Sequence, residues 1–270
     1  GALVEGLAEL MKEQGIEIKL NTKVNDLSIH NNRITEVHTN TGTLSCDKLV
    51  SNIDPKYLYR NLIPKKNQTI SAKVKTKHAK LSMGLYVLYF GTTKQYPDIV
   101  HHTIWLGKRY KALLSDIFDK KVLADDFSLY LHRPTATDPS MAPDGCDSFY
   151  VLAPVPNNLS GIDWAEQEKD YGDRIIKALE QTIMPELSSY IVHRFAKTPN
   201  DFEQDYSSVE GSGFSIAPTF QQSAWFRFHN KAEGPENLYL CGAGTHPGAG
   251  LPGVLSSAKV VDQLIPKIQK

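Results

Sequence analysis

The chain has 270 residues, of which 41% are apolar and 22% charged, ordinary usage for a globular protein large enough for one or two cores. Thirty basic residues balance thirty acidic ones, so no net charge favours nucleic acid as a partner. The three widely spaced cysteines fit a reducing cytosol better than a disulfide framework, and no apolar run is long enough for a membrane-spanning helix.

The first fifteen residues carry the pattern of an amphipathic helix, with Gly15 as its stop. Because the chain opens inside a regular element and without methionine, we interpret it as a fragment of a longer protein. The pattern then changes to a period of two. It predicts strands at Ile16–Leu20 and from Val24, a turn at Asn31-Asn32, a returning strand at 48–50 and a short helix at Pro55–Leu62.

Residues 55–97 contain nine basic side chains and no acidic one. We predict strand-like backbone from Lys65 to Phe90. The basic residues are then either a solvated strand face, whose edge lysines discourage aggregation, or a patch that faces anionic lipid headgroups. The sequence leaves both interpretations open.

The middle of the chain alternates between short helices and strands without the βα alternation of a parallel sheet, which predicts an α+β domain over residues 63–233. The clearest helix is expected at 163–184, with Asp163 as its cap. The pair His101-His102 has neither helical spacing nor a carboxylate partner, so we expect no metal site.

The carboxyl-terminal segment 237–259 reads as a short strand, a glycine-rich loop and a helix that begins near Pro252. This order presents unpaired N–H groups and a positive helix end to an anion. Gly248, Gly250 and Gly253 match the dinucleotide fingerprint, but only seventeen residues follow, too few for the rest of a Rossmann unit. A second interpretation is that the glycines only permit a tight turn.

Ordered segments along the whole chain resemble bacterial phytoene desaturases, the FAD-dependent carotenoid desaturases. The segments include His101–Ile104, Asp138–Gly145, Leu152–Pro156, Thr198–Phe202, Ser223–Arg227 and the terminal glycine segment. The first half of the family chain, with its Rossmann glycine loop, has no counterpart here.

The resemblance implies a mixed α+β fold that is the C-terminal part of a two-domain FAD-dependent oxidoreductase. Residues 1–62 and 234–270 would belong to the Rossmann-like FAD domain. Residues 63–233 would form a substrate and membrane-associated domain, an antiparallel sheet with helices.

The resemblance also implies cofactor contacts. Residues of the loop would lie near the FAD diphosphate and ribityl chain, the start of the last helix near the flavin, and one strand backbone near the adenine. A helix N-terminus would stabilise the negative charge of reduced flavin by up to ~2 kcal/mol. The residues concerned are Val24, Gly242, Ala243, Gly244, Thr245, Leu251, Pro252, Gly253 and Val254.

Several assignments stay open at this point. Val24 is alternatively a core valine, and His246 fits a hydrogen-bonded loop residue better than a general base. The aromatic residues that precede the glycine segment either belong to a core or line an apolar channel for a polyene. These are Phe214, Phe220, Trp225, Phe226 and Phe228.

The function implied is desaturation of phytoene or a similar carotenoid precursor, with hydride transfer to flavin N5 and with a quinone or dioxygen as the final electron acceptor. A cytoplasmic, peripherally membrane-associated enzyme follows, because the substrate resides in lipid. We expect the isolated chain to be inactive, and no catalytic residue is identified. The alternatives are another flavoenzyme of this fold (a carotenoid isomerase, retinoid saturase or amine oxidase) and a non-catalytic module that binds lipid or polyene.

Overall fold

Two hydrophobic cores organise the chain, which a computed structural model describes over residues 1–266. The first core lies within residues 86–187 and is built on a five-stranded sheet. The second core joins residues 27–72 to residues 216–240, so distant parts of the chain share it. This sharing brings the carboxyl-terminal glycines to the amino-terminal strands, in a mixed fold of helices and sheets as predicted.

The amino-terminal part is a helix followed by a three-stranded antiparallel sheet. Its elements are helix α1 (Ala2–Glu13) and strands β1 (Val24–His30), β2 (Arg33–Thr39) and β3 (Gly42–Ser45). The predicted turn at Asn31-Asn32 is confirmed, since the two residues have φ angles of 47° and 58°, the left-handed values of a two-residue hairpin.

A parallel pair of short strands joins the two ends of the chain. These are β4 (Leu49–Ser51) and β10 (Leu238–Leu240), and the glycine-rich loop after β10 leads to helix α8 (Leu251–Leu264). Just before β10, the buried Asn237 side chain accepts from Ile34 N at 2.8 Å and donates to Ile34 O at 2.7 Å. Strand β10, the glycine-rich loop and helix α8 confirm the strand, loop and helix predicted for this segment.

The five-stranded sheet consists of β5 (Gly84–Thr92), β6 (His102–Trp105), β7 (Leu129–His132), β8 (Asp147–Val155) and β9 (Ile191–Lys197), and helix α5 (Trp164–Glu180) packs on it. It is antiparallel throughout, with the spatial order β6, β7, β8, β5, β9. Alternate residues of β5 face opposite sides, so that Tyr86 points into the first core and Tyr89 to the other face. Helix α5 covers the core face, where Trp164 stacks on Tyr86 with ring centroids 5.8 Å apart.

Short helices connect these sheets. They are α2 (Pro55–Asn61), α3 (Ile70–His78), α4 (Tyr110–Ser115), α6 (Leu187–Tyr190) and α7 (Pro199–Tyr206). Within residues 1–266, every helix is too short or too polar to span a bilayer.

Two predictions of secondary structure are wrong. The segment Lys65–Phe90 is not strand-like throughout, because Thr69 caps helix α3, accepting from Ala72 N at 3.1 Å, and lysine favours helices. Ile16–Leu20 is irregular rather than a strand. Among residues 1–266 no strand pairs with it, and an unpaired strand leaves its backbone groups without partners.

The predicted division into residues 1–62 with 234–270 and residues 63–233 stays a prediction. The second core draws Ala72, Ile216 and Phe228 from inside the predicted substrate domain. The second core therefore includes residues from both sides of the predicted boundary.

Candidate functional site

The glycine bend, residues 241–250 between β10 and α8, is shaped by backbone that favours glycine. Gly242, Gly248 and Gly250 have φ angles of 104°, 139° and 94°. Gly250 is also the N-cap of α8, and no side chain within residues 1–266 caps that helix end. The positive end of a fourteen-residue helix is therefore left free at the bend.

Three buried polar side chains hold the bend from inside the protein. Arg227 donates from Nη2 to Ala243 O at 2.7 Å and from Nε to Thr245 O at 3.1 Å. Asn230 Nδ2 donates to His246 O at 2.9 Å, and Ser257 Oγ on α8 accepts from Gly242 N at 2.9 Å. Because backbone groups on both sides of the bend are fixed, its shape is set before any ligand binds.

The bend has a closed side and an open side. A Cβ on Gly244 would lie 2.4 Å from Pro55 Cδ, whereas a Cβ on Gly250 would meet nothing within 4 Å. Gly242, Gly244 and Thr245 are buried, so they support the bend from its closed side.

The start of helix α8 forms the open side. Leu251 is 62% exposed and Pro252 is exposed as well, while Ala243, Gly253 and Val254 are half-buried. The predicted site residues of the bend and of the start of α8 therefore lie side by side, but only about half of them are exposed enough to contact a ligand. An open, glycine-lined approach to a free helix N-terminus fits the anionic portion of a dinucleotide cofactor.

Val24 is the first residue of β1 and is 40% exposed, so it is not a core valine. Its strand joins the second core through Leu27, the same core that holds Leu238 and Leu240 of β10. The strand of Val24 and the strand before the glycine bend thus pack on the same core. A cofactor that contacts both Val24 and the bend requires such an arrangement.

Asp54 and Ser215 place unpaired polar atoms beside the closed side of the bend. Asp54 Oδ1 caps helix α2 through Lys56 N at 2.8 Å, but within residues 1–266 neither its Oδ2 nor Ser215 Oγ has a hydrogen-bond partner. Burial raises the pKa of Asp54, against smaller opposing effects of the N–H groups at the start of α2 and of the charge of Lys56. A Cβ on Gly244 would lie 2.7 Å from Ser215 Oγ. Such buried unpaired atoms are typical of positions that a water or a ligand completes.

The aromatic residues before the bend divide between the two interpretations. Phe228 is buried and stacks on Tyr59 with centroids 5.7 Å apart, so it belongs to the core. The other four face solvent wholly or in part, with Trp225 at 75%. They are Phe214, Phe220, Trp225 and Phe226.

A cavity of about 760 Å³ lies beside the link between α3 and β5. Its wall includes Lys56, Arg60, Lys77, Lys80 and Lys121. The wall also includes the apolar Leu81, Met83, Ile117 and Phe118 and the acidic Asp119 and Glu210. Because apolar and charged side chains share this lining, it selects no class of ligand and we assign the cavity no role.

Sequence reasoning missed the residues that hold the bend and one histidine. Arg227, Asn230 and Ser257 lie outside the glycine bend, and only the fold shows that they contact it. His132 joins His101 and His102 because strands β6 and β7 pair His102 with His132. A sequence prediction that paired β6 with β7 in the correct register would have placed His132 opposite His102.

Residues 1–261 match the family model described as flavin containing amine oxidoreductase. The chain is 45% identical over 267 residues to a lycopene-forming phytoene desaturase from Pseudescherichia vulneris, covering 98% of this chain and 54% of that relative. It is 41% identical over 276 residues to a neurosporene-forming phytoene desaturase from Rhodobacter capsulatus, covering 100% and 53%. The chain thus spans about half the length of the curated relatives it matches.

Solved structures show the same fold at low sequence identity. An oxidoreductase from Methanosarcina mazei superposes with a TM-score of 0.64 at 14% identity, covering 96% of this chain and 53% of that one. Cyclohexylamine oxidase from Brevibacterium oxydans gives a TM-score of 0.54 at 10% identity, covering 95% and 51%. At these identities the likeness concerns the fold alone.

Proposed function

Since this chain belongs to the flavin-containing amine oxidoreductase family, we propose that it is one half of an FAD-dependent enzyme that desaturates a carotenoid precursor such as phytoene. The observation that carries the proposal is the open glycine bend before a helix N-terminus that none of the described side chains caps. The phytoene desaturases among its relatives give the substrate class.

The bend would hold FAD through backbone rather than side chains. Gly248 and Gly250 leave room for a ligand to approach the backbone, and the N-terminus of α8 offers positive potential. Leu251 and Pro252 would contact the cofactor, while the buried Gly242, Gly244 and Thr245 keep the bend in shape. Val24 would meet the adenine. When bound, FAD supplies a hydride acceptor at N5, and a quinone or dioxygen would reoxidise it.

The face of the five-stranded sheet opposite α5 suits an apolar substrate. There Tyr89 stacks on Phe195 with centroids 4.7 Å apart, and the rings of Tyr150 and Tyr130 continue the surface. An isoprenoid chain offers no acidic group, so binding and orientation depend on apolar and aromatic contacts of this kind. Residues 63–233 would accordingly form the substrate domain.

Reconstitution tests this proposal. The chain would be co-expressed with the half of the Pseudescherichia vulneris relative that it does not match, and the purified pair assayed for flavin absorption and for coloured polyene from phytoene-loaded liposomes. We expect both signals from the pair and neither from the chain alone.

Two variants at opposite ends of α8 localise the cofactor. Leu251→Asp puts a negative charge at the helix start and should reduce flavin uptake by about tenfold or more, since repulsion of about 1.4 kcal/mol gives that factor. Leu264→Asp, at the far end of the same helix, should leave uptake unchanged. No uptake by the pair, or equal uptake by the two variants, would contradict the proposal.

We also propose that helix α3 and the aromatic residues near it contact a membrane surface. Ile70 and Val74 on α3 are 81% and 53% exposed, and a groove lined by Val74 and Phe226 connects the helix to the aromatic segment. Lys73 and Lys77 flank these apolar residues. Exposed apolar side chains beside lysines favour an anionic lipid interface.

Lys75 does not belong to this surface. Its Nζ contacts Glu233 Oε2 at 3.1 Å and donates to Arg227 O at 3.0 Å. Exchanging Lys73, Lys77 and Lys80 for Glu should therefore weaken sedimentation with anionic vesicles severalfold. The same number of charges reversed at Lys19, Lys23 and Lys48, in the amino-terminal part, should not. Unchanged sedimentation of the first variant would remove the membrane proposal.

A further inference from the structure

Three imidazoles meet at one edge of the five-stranded sheet, apart from the glycine bend. His101 and His102 stand at the start of β6, and His132 ends β7, directly opposite His102 in the strand register. One ring nitrogen from each of the three lies within 4.8 Å of the others. The cluster lies on the partly exposed face of the sheet, so a small solute can reach it.

The distances suit a shared metal ion. His102 Nδ1 and His132 Nδ1 are 3.4 Å apart. The Tyr130 hydroxyl lies 2.6 Å from His102 Nδ1 and 3.2 Å from His132 Nδ1, so a metal at this position would replace these hydrogen bonds. Two nitrogens bound tetrahedrally to one zinc at 2.0–2.1 Å would be separated by about 3.4 Å. Thr137 Oγ1 lies 2.6 Å from His101 Nδ1, which orients that ring and leaves its Nε2 for the metal, as outer hydrogen bonds to metal-binding histidines do.

The ligand set selects the class of metal. The cluster contains imidazoles and no carboxylate or thiolate within residues 1–266. Neutral imidazole suits zinc, copper, nickel and cobalt, whereas magnesium and calcium require oxygen ligands.

We propose that His101, His102 and His132 bind one divalent late transition metal ion, with a fourth position for the neighbouring Tyr130 hydroxyl or a water. The ion would fasten the start of β6 to the end of β7 and to the turn that carries Thr137. This site goes beyond the proposed flavin chemistry and does not depend on it.

Zn²⁺ titration of the tag-free chain, first stripped with a chelator, tests the site. We expect one zinc per chain by calorimetry and a higher melting temperature in its presence, because a ligand that binds only the folded state stabilises it. Co²⁺ should give a visible absorption band typical of tetrahedral nitrogen ligation.

Variants assign the ligands. His132→Phe keeps the ring that stacks on Tyr150 at 4.6 Å but removes both nitrogens, and His102→Ala removes an exposed side chain, so both should fold. Each should weaken zinc binding by about tenfold or more. His193→Ala, an exposed histidine on β9 of the same sheet, is the matched control and should bind as the unaltered chain does.

Melting temperatures without metal verify that the variants are folded. Absence of saturable zinc binding in the unaltered chain would overturn the site. Zinc binding that survives both His132→Phe and His102→Ala, or that His193→Ala weakens equally, would overturn it as well.

Discussion

A single buried guanidinium determines much of the geometry of the glycine bend. Arg227 donates to Ala243 O and Thr245 O on the bend, and 3.4 Å separates its Nη2 from Ile216 O. Burial lowers the pKa of Arg227, and the nearby Asp54 opposes that shift. The arginine thus acts on the cofactor site through backbone carbonyls and is a positioning residue.

Arg227→Met should lower the free energy of unfolding by about 1.5–3 kcal/mol, because charge-assisted hydrogen bonds are lost and buried carbonyls are left unpaired. Chemical denaturation of the chain measures this. Arg33→Met, which alters an exposed arginine 3.7 Å from Glu236, should cost about 0.5 kcal/mol or less. Equal losses in the two variants would show that Arg227 does not hold the bend.

Asp54 should give the chain a distinctive pH dependence. Burial raises the pKa of this carboxyl in the folded state above the usual value of 3.8, so between the two values the folded chain binds more protons than the unfolded one. Stability from this group is present at low pH and is lost as the pH rises through the raised value. Asp54→Asn lacks this titration.

The stability difference between Asp54→Asn and the unaltered chain should therefore favour the variant most near pH 7 and shrink as the pH falls toward 4. Urea unfolding at a series of pH values measures it. A difference that grows on acidification would mean that the folded protein stabilises the charged form of Asp54.

At the scale of elements, the junction between the bend and helix α8 depends on backbone conformation and not on space. Gly250 combines a φ of 94° with a ψ of 149°, values that only glycine adopts without strain, although a Cβ there would meet no atom. A substitution of Gly250 therefore tests the effect of backbone strain without an added steric clash.

Gly250→Ala should cost about 1–3 kcal/mol through strain alone, measured by denaturation. Gly6→Ala is the matched control, since Gly6 also has open space around its Cβ position but lies within helix α1. It should leave the stability unchanged or slightly higher. A neutral Gly250→Ala would indicate that the bend relaxes into another conformation.

At the scale of the whole molecule, the apolar surface is unevenly distributed. Helix α1 buries none of its residues, and Leu3, Leu7 and Leu10 on it are exposed. Leu251 and Leu255 on α8 are exposed too. Exposed apolar surfaces of this kind mark positions where a protein, a ligand or a membrane binds.

Replacing Leu3, Leu7 and Leu10 together by Gln should change the free energy of unfolding of this chain by no more than about 0.5 kcal/mol, because exposed side chains contribute little. In the reconstituted pair the same variant should weaken association of the halves. A large loss of stability in the chain alone would show that α1 packs against it.

Local patterns in the sequence were sufficient for the elements whose signals are local. The Asn31-Asn32 turn, helix α5 and the strand, glycine loop and helix at the carboxyl end all follow from turn residues, periodicity and caps. Ordered motifs along the chain also identified the family. Strand-like patterns gave wrong predictions in two places. Ile16–Leu20 has no partner strand among the described residues, and the segment of α3 is helical because Thr69 caps it.

Only the tertiary structure decided which residues support the site and which reach it. The contacts of Arg227 with Ala243, and the meeting of His132 with His102, join residues sixteen and thirty positions apart. Such contacts depend on strand register and on burial of a shared core, which no local pattern encodes. Exposure at Leu251 and burial at Thr245 were settled in the same way, because accessibility belongs to the packed molecule and not to the order of its residues.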